Sequence, residues 1–513
     1  MDKLAKIFTK TFVAVLVVKI IDVIKNLLVA SYLGVSDNAD IFSAVIGIPD
    51  GLIILIGIDS LRGVVNSEYS SLNILNNKEI IEKSFNNLYK IVFLIALIFT
   101  FIITFYKNEV IGILLPGFEG LKKSKAENIA LIIFPVIIFK SLLTLYQPLY
   151  NSLRKFIFPV LAQAIVSLAI ILSIFFPVYN SDLIYNLSFG LTIGNIIIFF
   201  VMAAGINSLG IKFTFSEFKL DDITKKILIN CASISVLVFI NQIYLYSRNL
   251  FASNYGEGSI SSLAYAATIS SAITSMVFGA VFSILLNDLS SNYSKEKMNE
   301  TKTSYINTYL SLFFIFCPLV IFLIINGKEV LSVLYLRGNM TGEDVSKILT
   351  PFYWEALAIL PWIAFIVPTS LFLATKKFKL LTVLGSVVYL IGILLNYLFS
   401  NAFGYYGISI ATFFTYSIYG IMLAFFATKF LGKFDNLLKD LFLLIVTSAI
   451  CFLISYLFKS FFLTEMLQNK GIFNMIISLI ISFFIIALIY WVVSGILKVN
   501  YLNKLVRLYK RNE

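Results

Sequence analysis

The chain is 513 residues long, 59% hydrophobic and 13% charged, with a mean hydropathy of +0.92; a soluble chain carries about 25% charged residues, so hydrocarbon is the solvent to reason with. It has no histidine, and Cys231, Cys317 and Cys451 lie far apart in apolar stretches, which excludes a disulfide framework and a Cys/His zinc site. The formal charge of +12 is dispersed between apolar segments rather than gathered on a polar domain, so it reads as membrane topology and not as a nucleic-acid surface.

A spanning helix needs roughly 20 apolar residues. Segments of that kind fall near 11–33, 40–66, 86–106, 126–150, 156–178, 184–207 and 225–253 in the first half, and near 260–288, 303–326, 349–374, 379–400, 404–430, 438–460 and 471–497 in the second. The expectation is an all-α polytopic membrane protein of about fourteen transmembrane helices. The first apolar run leads into further spans with no small-residue cleavage site behind it, and is read as a retained helix. The second span contains Gly47-Ile48-Pro49-Asp50-Gly51. Pro49 removes an intrahelical hydrogen bond and Gly51 loosens the turn, so a kink is expected there, either as a gate or as a packing feature.

An even number of spans puts both termini on one side. With that side cytoplasmic, the cytoplasmic loops and tails hold 25 of the 40 Lys/Arg and the opposite loops hold 9, the asymmetry of the positive-inside rule. Six basic residues remain inside the spans: Lys19, Lys25, Arg62, Lys90, Lys140 and Arg248.

Three landmarks recur in order: Asn26 to Ser31 against Asn249 to Ser253, Glu109-Val110 against Glu329-Val330, and Lys155-Phe156 against Lys377-Phe378, at offsets of 223, 220 and 222. They predict a duplicated six-helix unit with two helices appended: a first lobe over 1–215, a second over 216–431, and a C-terminal helix pair with a basic tail over 432–513. Six is even, so the repeats are parallel, an arrangement that encloses a midplane site and suits alternating access.

A Lys or Arg at a helix centre costs about 2.5–3.5 kcal/mol on insertion scales and faces a cavity or a partner. Lys19, Lys25, Arg62, Lys140 and Arg248 are therefore the candidate substrate-binding residues, a cationic cavity for an anionic phosphate headgroup. Asp22, Asp50, Asp59 and Glu355 are embedded acids suited to support or ion coupling. The alternative is local pairing, since Lys19–Asp22, Asp22–Lys25 and Asp59–Arg62 are each three residues apart. Lys90 reads as an interfacial snorkeller.

The run Lys25-Asn26-Leu27-Leu28-Val29-Ala30, then Gly34, Ala39-Asp40-Ile41-Phe42, Ala44 and Ile48-Pro49-Asp50 resembles the opening of the MviN/MurJ family of lipid II flippases, within the MOP superfamily that also holds the MATE drug exporters. The likeness continues through Gln242 to Ser253, Ala264-Tyr265-Ala266, Phe278-Gly279 and Ser283 to Leu286. The resemblance implies a two-lobe V-shaped fold, transport of an undecaprenyl-pyrophosphate-linked saccharide to the outer leaflet of the bacterial inner membrane, and a lipid-tail groove at the last two helices. It matches the family's first-helix arginines to Lys19 and Lys25, and the acid after that helix to Asp40. It also places the family's paired second-helix arginines at Ile53 and Ile54 and its eighth-helix arginine at Thr268, where no charge is present.

Three functions compete. The first is a flippase for a polyprenyl-pyrophosphate-linked saccharide, lipid II or an O-antigen or capsule type, coupled to membrane potential or to Na+/H+, with no bound cofactor and no built-in ATPase because no Gly-rich Lys-Ser/Thr phosphate loop occurs. The second is a cation-coupled MATE-like exporter using Asp22, Asp50 or Glu355, for which five embedded cations make cationic drugs poor cargo. The third is an enzyme on the same lipids, disfavoured by short outer segments and absent histidine. The expected partners are the lipid-linked saccharide and membrane lipids, with no nucleic acid. Oligomeric state is not written in the sequence.

Overall fold

The structure is a computed structural model that describes residues 2–74, 78–153, 155–177, 182–207, 211, 221–278, 282–434, 437–463 and 471–497; the basic tail over 498–513 and Gly279 lie outside them. Among the described residues every regular element is a helix. Two compact units divide the chain, Met1–Ser261 and Ser262–Glu513.

The first unit comprises α1 (Asp2–Leu33), α2 (Asp37–Val45), α3 (Ile48–Leu55), α4 (Leu61–Ile74), α5 (Lys78–Phe105), α6 (Lys107–Leu114), α7 (Gly120–Ile133), α8 (Val136–Ser152), α9 (Ile157–Ala162), α10 (Ala164–Phe175), α11 (Leu183–Asn207) and α12 (Asp222–Ala252). From its first turn onward α13 (Ser259–Val277) leads into the second unit, with α14 (Ser283–Ser294), α15 (Met298–Ile325), α16 (Gly327–Tyr335), α17 (Gly342–Ala374), α18 (Phe378–Phe403), α19 (Gly407–Leu431), α20 (Leu437–Phe458) and α21 (Ile472–Ile496). Among the described residues each of the fourteen expected segments is largely helical.

By length and composition, 11 helices among the described residues can cross a membrane, or up to 12 if α7 and α8, bent by 43°, form one span. The expected count of about fourteen is reached by adding α1 and α12, which are 32 and 31 residues long. α1 carries Lys19, Asp22 and Lys25 within one span.

The second span is broken twice. α2 ends at Val45 and α3 starts at Ile48, because Pro49 has no N–H to continue the ladder. Gly57, at φ +77, makes a second break that leads through a 3-10 turn at Ile58–Ser60 into α4. Gly51 answers a different need. A Cβ there would lie 2.0 Å from Tyr246 Oη, so only glycine lets α12 approach α3. Tyr246 then donates its hydroxyl proton to the Ile48 carbonyl at 2.9 Å. Because α12 packs on α3, α4, α5 and α6, it is described with the first unit, although the duplicated-unit reading begins the second lobe at residue 216.

Small residues bring α10 and α11 together in the same way. Gly190 and Gly194, four apart, sit against Ser173, Ala169 and Val166 at distances that would not admit a Cβ. Asp40 fixes the opposite end of α2. Buried to 1% exposure, its carboxylate accepts from Lys122 Nζ at 2.9 Å, Gly258 N at 2.9 Å, and Ser261 N and Oγ at 2.8 and 2.9 Å, capping the first turn of α13. Lys122 also pairs with Asp37 at 2.6 Å.

In the second unit α15 packs Phe314, Cys317 and Ile321 against Cys451 of α20 and Ile486 and Tyr490 of α21. Lys459, in the π-helical turn after α20, donates to the Ile325 carbonyl at 2.6 Å and pairs with Glu329 of α16 at 2.7 Å. Each unit contains a 28-residue helix followed by a short one that carries the landmark glutamate, α5 then α6 with Glu109, and α15 then α16 with Glu329.

Removing the Asp40 carboxylate leaves three donors at the start of α13 without their acceptor and costs Lys122 one of its two carboxylates. Asp40→Ala is expected to destabilise the protein by about 3 kcal/mol, read as a lower melting temperature of the detergent-solubilised chain. An unchanged melting temperature contradicts a structural role for this carboxylate.

Candidate functional site

A cavity of about 580 Å³ opens inside the first unit, lined from α1, α3, α4, α8, α9, α10 and α11. Helical spacing explains which side chains reach it. On α1, Asp22 and Lys25 share a face. The helix restart at Ile48 turns Asp50, Ile53 and Ile54 inward together, and α8 presents Lys140, Leu143, Thr144 and Gln147 at i, i+3, i+4 and i+7. Asp59 and Arg62 arrive through the break at Gly57, and Gln163, Ser167 and Asn195 complete the polar lining.

The charges are arranged as cation and anion partners. Lys140 Nζ donates to both oxygens of Asp50, at 2.7 and 2.8 Å, across helices 90 residues apart in sequence. Arg62 meets Asp59 at 3.4 Å, and Lys19 meets Asp22 at 3.9 Å. The Ser167 hydroxyl donates a short hydrogen bond to Asp22 Oδ1. Lys25 differs. Among the described residues no carboxylate lies within ion-pair distance of its ammonium, and the charges that act on it are Asp22, Lys140 and Lys19. The lining thus holds three cations and three carboxylates, with Lys25 the cation left available to an incoming anion.

Six of the expected site residues meet here: Lys25, Arg62, Lys140, Asp22, Asp50 and Asp59. Lys19 stands beside the cavity, engaged with Asp22 but not in the lining. Arg248 lies on α12, outside the lining, half-buried. Asp40 is committed to the α13 cap and does not face this cavity. Glu355 belongs to α17 of the second unit, where it is buried and accepts from Ser409 Oγ at 3.0 Å. Pro49 and Gly51 sit at the start of α3.

Of the positions where arginines are missing, Ile53 and Ile54 both line the cavity, and Thr268, on α13, donates its hydroxyl to the Ala264 carbonyl at 3.0 Å. Sequence reading missed Thr144, Gln147, Gln163, Ser167 and Asn195. Their signal was available in part, since Thr144 and Gln147 continue the helical face of Lys140. The Asp50–Lys140 pair has no such signal, because it joins distant helices.

The family model described as "Lipid II flippase MurJ" matches residues 29–484. A protein of Buchnera aphidicola subsp. Schizaphis graminum, named probable lipid II flippase MurJ, is 28% identical over 271 residues, which cover 49% of this chain and 50% of that one. The chain therefore spans about half the length of that relative in the alignment. Among solved structures, a lipid II flippase MurJ in an inward closed conformation is similar with a TM-score of 0.79 and 22% identity, over 95% of this chain and 98% of that one. An inward-facing multidrug resistance MATE transporter of the MOP superfamily is similar with a TM-score of 0.66 and 13% identity, over 83% and 99%. The fold is of that type.

Because Asp50 and Lys140 hold each other, their substitutions should not add. Lys140→Met alone and Asp50→Asn alone are each expected to lower the melting temperature, and the double variant to recover a coupling of about 1 kcal/mol. A double variant whose loss equals the sum of the two single losses contradicts the pairing.

Proposed function

The chain belongs to the lipid II flippase family MurJ, whose model spans residues 29–484, and on that premise we propose that it carries the undecaprenyl-pyrophosphate-linked peptidoglycan precursor, lipid II, from the inner to the outer leaflet by alternating access. The observation that carries the reading is a concave site within spanning helices, lined by Lys25, Lys140 and Arg62, in which one ammonium has no carboxylate at contact distance. Pyrophosphate is the ligand class that such a set of donors suits.

The geometry suggests an exchange. The pyrophosphate engages Lys25 first and then competes with Asp50 for Lys140 and with Asp59 for Arg62. Replacing one anion by another leaves each cation paired. The displaced Asp50, or Asp22 once Lys19 turns to the substrate, then becomes an acceptor for H+ or Na+. That supplies a route for coupling to an ion gradient or to the membrane potential, at about 2.3 kcal/mol per charge per 100 mV. The breaks around Pro49 and Gly57 give α3 two points at which to pivot with Asp50.

The chain is a multi-pass membrane protein, and the Lys/Arg asymmetry of its loops supports both termini on the cytoplasmic side of the bacterial inner membrane. It acts as a transporter and not as an enzyme, on a lipid-linked saccharide. One observation favours a second cargo. Ile53 and Ile54 occupy the lining where the resemblance expects arginines, and lysine offers phosphate a point charge without the bidentate fork. A different polyprenyl-linked saccharide is therefore the alternative substrate.

The test is complementation of a bacterium depleted of its lipid II flippase, with accumulated lipid-linked precursor as readout. Growth with falling precursor is expected; precursor that stays high with a well-inserted protein moves the cargo to another polyprenyl-linked saccharide. In the same strain Lys25→Ala should lower flipping at least about tenfold, the scale of one charge-assisted hydrogen bond, with the protein still folded and inserted. Lys25→Arg should retain activity. Full activity in Lys25→Ala contradicts the anion-binding role.

A further inference from the structure

A second polar concavity lies in the second unit. The turn between α17 and α18 is tightly built: Thr375 N, Lys376 N and Lys377 N donate to the carbonyls of Leu371, Leu373 and Phe372 at 3.0, 3.1 and 2.8 Å, with Lys376 at φ 57. That turn sets Lys377 and Lys379 beside Lys429 near the end of α19, around a pocket of about 500 Å³ floored by Phe372, Phe426 and Phe430. Among the described residues the lining contains three ammonium groups and no carboxylate. Lys377 Nζ stands 3.8 Å over the Phe430 ring and Lys429 Nζ 4.5 Å over Phe425, so aromatic faces hold these cations in place without neutralising them. Among the described residues none of the three makes a salt bridge.

The pocket also meets the lipid-facing surface. From Leu380 in its lining, α18 carries exposed Val383, Val387, Leu390 and Leu394 at i, i+4, i+7 and i+11, an apolar stripe directed away from the lysines. Ile421 of α19 is exposed to 70%, on the turn before Phe425. Three unneutralised cations at one end of an exposed apolar stripe match the two chemistries of a phospholipid, a phosphate headgroup and acyl chains.

We propose that Lys377, Lys379 and Lys429 form a binding site for the headgroup of an anionic glycerophospholipid of the adjacent leaflet, with its chains along the α18 stripe. The site is separate from the transport cavity and binds a resident lipid rather than cargo. Charge complementarity selects the occupant, because a zwitterionic headgroup offers the three ammonium groups a phosphate offset by its own cation.

The experiment is native mass spectrometry of the purified full chain with phosphatidylglycerol and phosphatidylcholine of the same acyl composition. The wild type is expected to retain phosphatidylglycerol preferentially. K377Q/K379Q/K429Q should lose that preference by about tenfold or more, since one Lys near an anionic headgroup counts for roughly fivefold. The control K295Q/K297Q, which removes basic residues of the α14–α15 turn, should keep it. Equal loss in both variants, no loss in the triple variant, or displacement of the lipid by millimolar inorganic phosphate each overturns the proposal. A melting temperature for each variant separates loss of the site from loss of fold.

Discussion

The cost of placing charge where water is scarce governs the first unit. Within about 30 Å of hydrocarbon an isolated ammonium is unfavourable, and the chain sets a carboxylate beside three of the cations it embeds there. Asp50 holds Lys140, Asp59 holds Arg62, and Asp22 holds Lys19 while accepting from Ser167. The helix breaks serve this pairing. Asp50, Ile53 and Ile54 share a face of α3 as i, i+3 and i+4, the break at Ile46-Gly47 sets where that helix starts, and Gly57 leads through the 3-10 turn to the Asp59–Arg62 pair of the same lining.

That balance shapes how the cavity meets an anion. A site with only cations would bind phosphate tightly and release it slowly, whereas internal carboxylates compete for the same ammonium groups at every stage. In the proposed exchange Lys25 is the entry point, because its charged neighbours act on it from beyond contact distance. Ile53 and Ile54 make part of the wall apolar, which narrows the polar surface to the α1 and α8 faces. The proposed exchange of carboxylate for pyrophosphate follows from this arrangement and from no other group in the unit.

Much of this was legible in the sequence, for physical reasons that differ by level. Hydrophobic length located the helices, since a span must satisfy its own backbone in hydrocarbon, and among the described residues each expected segment is largely helical. The i,i+3 pairs Lys19–Asp22 and Asp59–Arg62 were readable because helical spacing is local, while Asp22–Lys25, equally spaced, does not close. Asp50 with Lys140, and Asp40 with Lys122 and Ser261, join residues 82 to 221 positions apart, and a single sequence carries no register between helices. Gly51 illustrates the same limit. Its place in an expected kink left gate and packing both open, and no local pattern announced the close approach of Tyr246 to its bare Cα.

In the proposed function the cavity of the first unit holds the pyrophosphate of the cargo through Lys25 and Lys140. The affinity of the purified protein for lipid II, compared between the wild type and Lys25→Gln/Lys140→Gln, tests this. Binding at least about tenfold weaker is expected in the double variant, two charge-assisted contacts being lost, with the melting temperature showing both proteins folded. Equal affinity in the two proteins contradicts it.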